Sequence, residues 1–206
     1  MKGRNGMAEH YYTQDPSVQS NRQVIHVSLR SKEFKFYTDA GVFSKNMIDF
    51  GSKLLIEHMN IPSDSKILDV GCGYGPIGIC AASLEKTSEV TLIDVNQRAI
   101  ELASENAKLN EISNIKLLQS DIYSSLENNE KFDVILTNPP IRAGKEVVYS
   151  IFSGAAQRLK DGGSLWVVIQ KKQGAPSALE KLKILFSTVE EVSKKKGYKI
   201  FRAKKG

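Results

Sequence analysis

The sequence predicts an α/β fold: a doubly wound, mostly parallel sheet of seven strands with one antiparallel strand, preceded by a β-hairpin. Three observations carry this. From about residue 66, short apolar runs alternate with stretches of helical spacing, the order of a sheet built from strand–helix–strand units. The apolar runs are unbroken, as expected for strands covered on both faces. The last two runs are joined only by Lys194-Lys195-Lys196-Gly197, too short for a parallel crossover, so they pair antiparallel.

The elements follow in order. Residues 1–20 are polar and aperiodic and are expected to form a mobile arm, with Met7 as a second candidate start; the folded domain is expected to span 21–206, with the hairpin and a first helix in 21–62. Alternation from Gln23 through Leu29, a turn over 30–33 and the run Phe34-Lys35-Phe36-Tyr37 predict the hairpin. Helical spacing over 47–59 ends at Ile61-Pro62-Ser63-Asp64. Strands are expected at 66–70, 90–95, 115–119, 132–137, 164–169, 189–193 and 198–203. Helices are expected at 77–84, 97–110 (capped by Asn96), 147–159 and 177–186.

Composition narrows the function classes. No apolar run reaches the ~20 residues of a membrane helix, and the first residues lack the apolar core of a signal peptide. Two cysteines, Cys72 and Cys80, exclude a disulfide framework and a cysteine-rich zinc site, and point to the cytoplasm. Lys and Arg total 29 against 23 Asp and Glu, a net charge of +6 that favours a polyanionic partner such as RNA.

Asp69-Val70-Gly71-Cys72-Gly73-Tyr74-Gly75-Pro76 lies between the first core strand and its helix, where open α/β sheets bind ligands. Its glycines permit positive φ and close backbone approach. Gly73, Gly75 and Gly78 also spell the dinucleotide fingerprint, with Asp94 placed for a ribose. A dinucleotide, however, leaves Asp121 and Asn138-Pro139-Pro140 without work. S-adenosylmethionine uses all of them: Asp69, Gly71, Cys72, Gly73 and Gly75 as the loop, Asp94 with Val95 and Asn96 at the ribose, and Asp121 with Ile122 at the adenine.

Asn138-Pro139-Pro140 follows the fourth core strand without a gap. Prolines alone would explain a rigid strand exit. The functional reading also employs Asn138: its side-chain oxygen and the Pro139 carbonyl accept both N–H bonds of a planar amine, aiming the nitrogen lone pair at a methyl group. Proline stiffness pre-organises those acceptors. Asn138, Pro139 and Pro140 are thus the expected catalytic residues, with Asn138 also at the cofactor.

These residues resemble the class I S-adenosylmethionine-dependent methyltransferases, and within them the small-subunit ribosomal RNA guanine-N2 methyltransferases (the RsmC-like group). The resemblance runs from about Phe34 onward. It includes Gly41-Val42-Phe43-Ser44, Asp49-Phe50-Gly51-Ser52, the glycine loop, Asp94-Val95-Asn96 with Ala99, and Phe132-Asp133 leading into Asn138-Pro139-Pro140. It implies a Rossmann-like methyltransferase fold and rRNA methylation, with Phe43 and Ser44 near the active site. Two departures stand out. Ile141 replaces the family's usual aromatic, removing stacking worth ~1–3 kcal/mol per base. The family's extra amino-terminal domain has no counterpart at this length.

Substrate contacts are therefore expected from Phe43, Ser44, Ile141, Arg142 and Lys145, the last two at the pocket mouth where phosphates would lie. Arg22, Arg30, Lys32 and Lys35 precede the core and fit a docking role toward the substrate; the C-terminal lysines read as a solvated face. The leading expectation is methylation of an exocyclic guanine amine of ribosomal RNA. A glutamine amide or a DNA adenine amine would use the same chemistry, and a ribosome-associated RNA-binding module would need none of it.

Overall fold

The computed structural model describes residues 19–44 and 47–206. The expected amino-terminal arm lies outside the described residues as far as residue 18. Ser20 and Asn21 are anchored by the buried carboxylate of Asp39, at 2.8 and 2.5 Å.

The hairpin pairs β1 (Gln23–Leu29) with β2 (Lys32–Thr38) in antiparallel register, Val27 opposite Phe34. Its turn is narrower than expected. Arg30 and Ser31 alone make it, both at positive φ (51° and 63°), so β2 begins at Lys32. That is the twist a two-residue hairpin turn requires, here met without glycine. Leu29, Phe34 and Phe36 point inward; Phe36 meets the Tyr74 ring edge-on at 5.9 Å.

Helix α1 (Phe50–His58) starts three residues later than its apolar spacing suggests. Ile48 is buried in the preceding loop, and the Asp49 side chain accepts from the Ser52 N–H at 3.1 Å, an N-cap that sets the first turn. The main sheet then follows: β3 (Lys66–Val70), α2 (Pro76–Leu84), β4 (Glu89–Asp94), α3 (Gln97–Leu109), β5 (Ile115–Gln119), β6 (Phe132–Thr137), α4 (Lys145–Arg158), β7 (Leu159–Gln170), α5 (Ala175–Leu185), β8 (Thr188–Lys195) and β9 (Tyr198–Lys204).

The seven strands lie in the order β5-β4-β3-β6-β7-β9-β8, all parallel except β9, which runs antiparallel to both neighbours. The order reverses at β3, which puts the β3–α2 and β6–α4 connections over one stretch of the carboxyl edge. One apolar core joins the hairpin, α1, α2 and α3 to one face; a second joins α4 and α5 to the other. Strand β7 is longer than its apolar run, because Asp161-Gly162-Gly163 carries the chain through an irregular stretch of pairing rather than a turn.

Helix α3 covers the outer edge of β2. Asn106, fully buried, accepts from the Tyr37 N–H at 2.6 Å and donates to the Tyr37 and Tyr74 carbonyls at 2.9 Å. Four residues on, Asn110 repeats the arrangement with both backbone groups of Lys35.

Several basic residues expected at a substrate are committed to the fold. Arg22 pairs with Glu105 at 2.9 Å. Arg30 donates to the Ile56, Glu57 and Met59 carbonyls at the end of α1, and Lys32 donates to Ser83 O in the last turn of α2. Each satisfies carbonyls that a helix end leaves open.

Candidate active site

A cavity of about 280 Å³ opens over the carboxyl ends of β3, β4 and β6. The glycine loop forms its floor. The Gly71 and Cys72 N–H groups both bond to Ile93 O, at 2.9 and 3.0 Å, and Gly71 and Gly73 take positive φ (71° and 56°). A side chain at Gly78 would sit 2.7 Å from Leu92, so that glycine serves close helix-to-strand packing.

The loop's acids divide into two roles. Asp94 stands in the cavity wall at the end of β4. Its Oδ2 accepts from the Gly73 N–H at 2.8 Å and its Oδ1 from the Asn96 N–H at 2.9 Å. Burial raises its pKa, opposed by these amide bonds. Each carboxylate oxygen has a further lone pair to offer a ligand hydroxyl. Asp69 lies beneath the loop rather than in the wall: it is fully buried, and its Oδ2 accepts from the Gly78 N–H at 2.8 Å, tying α2 to the loop. Gly75 caps α2 and is likewise outside the wall.

Gly71, Cys72, Gly73, Val95, Asn96, Asp121 and Ile122 all reach the cavity. The Asn96 side chain is engaged locally. Its oxygen caps α3 through the Arg98 N–H at 3.0 Å, and its amide nitrogen donates to Gly41 O at 3.0 Å. Together with Arg98, which donates to Ala40 O at 2.9 Å, it fixes the segment that brings Phe43 and Ser44 to the wall. The Ser120 hydroxyl donates to Ile122 O at 3.1 Å, shaping the turn that presents Asp121. Burial, reinforced by the charges of Asp94 and Asp69, pushes the Cys72 thiol well up, so it stays protonated and is no nucleophile.

Asn138, Pro139 and Pro140 line the cavity beside the glycine loop, where β6 leaves the sheet next to β3. The Asn138 amide nitrogen donates to Asp49 Oδ2 at 3.1 Å and to Ser52 Oγ at 2.9 Å. A carboxylate only accepts, so the nitrogen must face Asp49 and the side-chain oxygen is left as the free acceptor. Asp49 and Ser52 also line the cavity, as do Val42, Tyr74 and Ala143. None of these was among the expected site residues. The N-cap spacing of Asp49 and Ser52 is readable in sequence, but their bonds to a residue nearly ninety positions away are not. Ile141, Arg142 and Lys145 do not reach the wall; Arg142 and Lys145 are exposed beside it, with Lys145 over the Tyr149 ring at 5.2 Å.

The polar and apolar groups of the wall suit a nucleoside. Tyr74 Oη is buried in the wall with no hydrogen-bond partner among the described residues, a state a polar ligand would relieve. Asp94 presents acceptors for vicinal hydroxyls, and apolar Val95, Ile122 and Val147 flank the remainder of the wall.

Comparison with known proteins gives the same class. The chain is 56% identical over 200 residues to the uncharacterized protein YbxB of Bacillus subtilis (strain 168), covering 97% of this chain and all of that one. It is 32% identical over 176 residues to a ribosomal RNA small subunit methyltransferase C of Hamiltonella defensa, covering 84% of this chain and 51% of that protein. Among solved structures, a Thermus thermophilus 16S rRNA N2 G1207 methyltransferase (RsmC), in complex with AdoMet and guanosine, superposes with a TM-score of 0.80 at 24% identity, over 93% of this chain and 52% of that one. The chain thus spans about half the length of the RsmC proteins it matches.

A seven-stranded sheet with one reversed strand, carrying a glycine loop, an acid at the end of β4 and an Asn-Pro-Pro exit around one cavity, defines an S-adenosylmethionine-dependent methyltransferase with a Rossmann-like fold. Within that class the chain belongs to the Methyltransferase small domain family, whose pattern matches residues 33–202.

Proposed function

We propose that this methyltransferase modifies an exocyclic base amine of RNA, guanine N2 in small-subunit ribosomal RNA, and that it acts in the cytoplasm. The observation that carries the reading is the fixed orientation of Asn138 beside Pro139 and Pro140 in the cavity that Asp94 and the glycine loop share. The names of the RsmC relatives support the substrate.

Asp94, with Asp121 and the Gly71–Gly73 backbone, would hold the nucleoside part of S-adenosylmethionine. That group supplies an activated methyl on a sulfonium, whose departure as a neutral thioether needs no acid. The protein's own task is to present the amine. The Asn138 side-chain oxygen and the Pro139 carbonyl accept its two N–H groups, turning the nitrogen lone pair out of conjugation with the ring. Because these acceptors are already oriented, the alignment costs little at the moment of reaction. The amine becomes acidic only after it gains the methyl, so its proton passes to water without a dedicated base. His26 and His58 are both exposed and outside the cavity wall.

The test begins with calorimetric titration against S-adenosylmethionine, with NAD as control, then mapping of methyl groups placed on small-subunit ribosomal RNA. Micromolar binding of the first alone and a new N2-methylguanine are expected. Label appearing on a protein glutamine or a DNA adenine would redirect the substrate, and RNA binding without methyl transfer would mark a binding module. Asn138→Ala should abolish transfer while leaving S-adenosylmethionine affinity nearly unchanged.

A further inference from the structure

The basic residues near the carboxyl terminus are not one solvated face. On the outer strands the charges neutralise each other: Lys199 pairs with Glu191 at 2.5 Å, Arg202 with Glu190 at 2.5 Å, and Lys205 lies 3.8 Å from Asp161. The turn between β8 and β9 differs. Lys194, Lys195 and Lys196 are exposed there and form no ion pair among the described residues.

Topology decides where that turn sits. Because β9 is the reversed strand, its first residue, Tyr198, lies opposite Gln170, the last residue of β7, and Lys195 lies opposite Tyr198. The turn is therefore on the carboxyl edge of the sheet, the same edge as Asn138. Strand β9 stands two strand spacings from β6, about 10 Å.

Two further exposed lysines, Lys171 and Lys172, leave β7 at this edge, and the Lys171 N–H bonds to Gly197 O at 2.6 Å. Lys196 Nζ sits 5.1 Å from the centre of the Phe50 ring, and that ring packs on Tyr198 at 5.4 Å. Phe50 directly follows Asp49, which holds Asn138. The lysines are thus mounted on a turn fastened to the catalytic mouth.

We propose that Lys171, Lys172, Lys194 and Lys195 form a docking rim for the phosphate backbone of the RNA whose base enters the cavity. The inference rests on the reading of RNA as substrate and adds how the strand is held. An unneutralised row of lysines binds phosphates with release of counterions and gives no sequence information. Base choice stays with the cavity; the rim supplies affinity and orientation.

The experiment compares two matched double variants, Lys194→Gln/Lys195→Gln on the rim and Lys86→Gln/Lys204→Gln on the opposite edge of the sheet. Each is titrated with a small-subunit ribosomal RNA fragment at several salt concentrations, and separately with S-adenosylmethionine. The rim variant should lose RNA affinity at low salt, and its log–log salt slope should shrink by about 1–2 units. S-adenosylmethionine affinity should be unchanged in both variants, and RNA binding retained by the opposite-edge pair. Equal losses in the two variants, or none in either, overturn the rim while leaving RNA methylation by the wild-type protein intact. Wild-type protein that neither binds nor methylates RNA removes the substrate reading and the rim together.

Discussion

Asp49 and Asn138 meet at 3.1 Å between the start of α1 and the end of β6, and the contact fixes which end of the Asn138 amide is left free toward the cavity. An unrestrained amide can present either its oxygen or its nitrogen. The second outcome would offer a donor to a group that must itself donate. Asp49→Ser keeps an N-cap for α1 while removing the obligate acceptor. Turnover should fall about tenfold, the equivalent of ~1.4 kcal/mol, with S-adenosylmethionine affinity and melting temperature near wild type. Ser52→Ala should cost less, since Asp49 still holds the nitrogen. Unchanged turnover in Asp49→Ser would remove the orienting role.

Asp94 accepts from the loop's Gly73 N–H and also lines the cavity, so on the proposed reading its loss should be felt in loop and ligand alike. Asp94→Ala should weaken S-adenosylmethionine binding by more than tenfold, or over ~1.4 kcal/mol, in a calorimetric titration. An unaltered affinity would place the ribose elsewhere.

Asp69 gives the fold a pH dependence of unusual sign for a carboxylate. Burial pushes its pKa up to about 7, opposed by the Gly78 N–H bond and aided by the charge of Asp94. The folded protein therefore holds this proton where the unfolded chain, with its ordinary value of 3.8, has released it. The associated stability is complete at acid pH and declines as pH rises from about 4 to about 7, by ~1.4 kcal/mol per unit at most. Asp94, raised in the same direction, adds to the trend. Urea unfolding at pH 5 and pH 7 should show lower stability at pH 7, and Asp69→Asn should flatten most of the difference. Equal slopes in variant and wild type would show that Asp69 ionises normally.

Arg30 separates charge used for folding from the charge proposed to hold RNA. Its bonds to the last carbonyls of α1 predict that Arg30→Ala lowers the unfolding free energy by about 1–2 kcal/mol, read by urea denaturation. RNA affinity and its salt slope should not change. A reduced slope would return Arg30 to the substrate surface.

What could be read from the chain follows from the range of the interactions involved. The α/β alternation is legible because strands such as Val-Ile-Leu at 134–136 are buried on both faces and print as continuous apolar runs. The reversed β9 is legible because four residues cannot cross a sheet. The glycine loop and Asn-Pro-Pro are contiguous and show themselves. Asp49 and Ser52 do not, because nothing local says that a helix cap also serves another strand's exit. Arg30 and Lys32 mislead for a related reason: a basic side chain reaching a helix end looks, in sequence, like one reaching for phosphate. The start of β7 is hidden by Gly162-Gly163, which has turn composition but continues the strand.

Asn106 and Asn110 have one more consequence. Their side chains answer the backbone groups of Tyr37 and Lys35 as a third strand would, so the edge of β2 is already occupied. An exposed hairpin edge is a template on which a second chain can add; this one offers no vacancy at those positions. The same two side chains also specify register. Sliding β2 by one residue would strip both asparagines of their partners and turn Phe34 and Phe36 out to water, so a misaligned hairpin is penalised at every position at once.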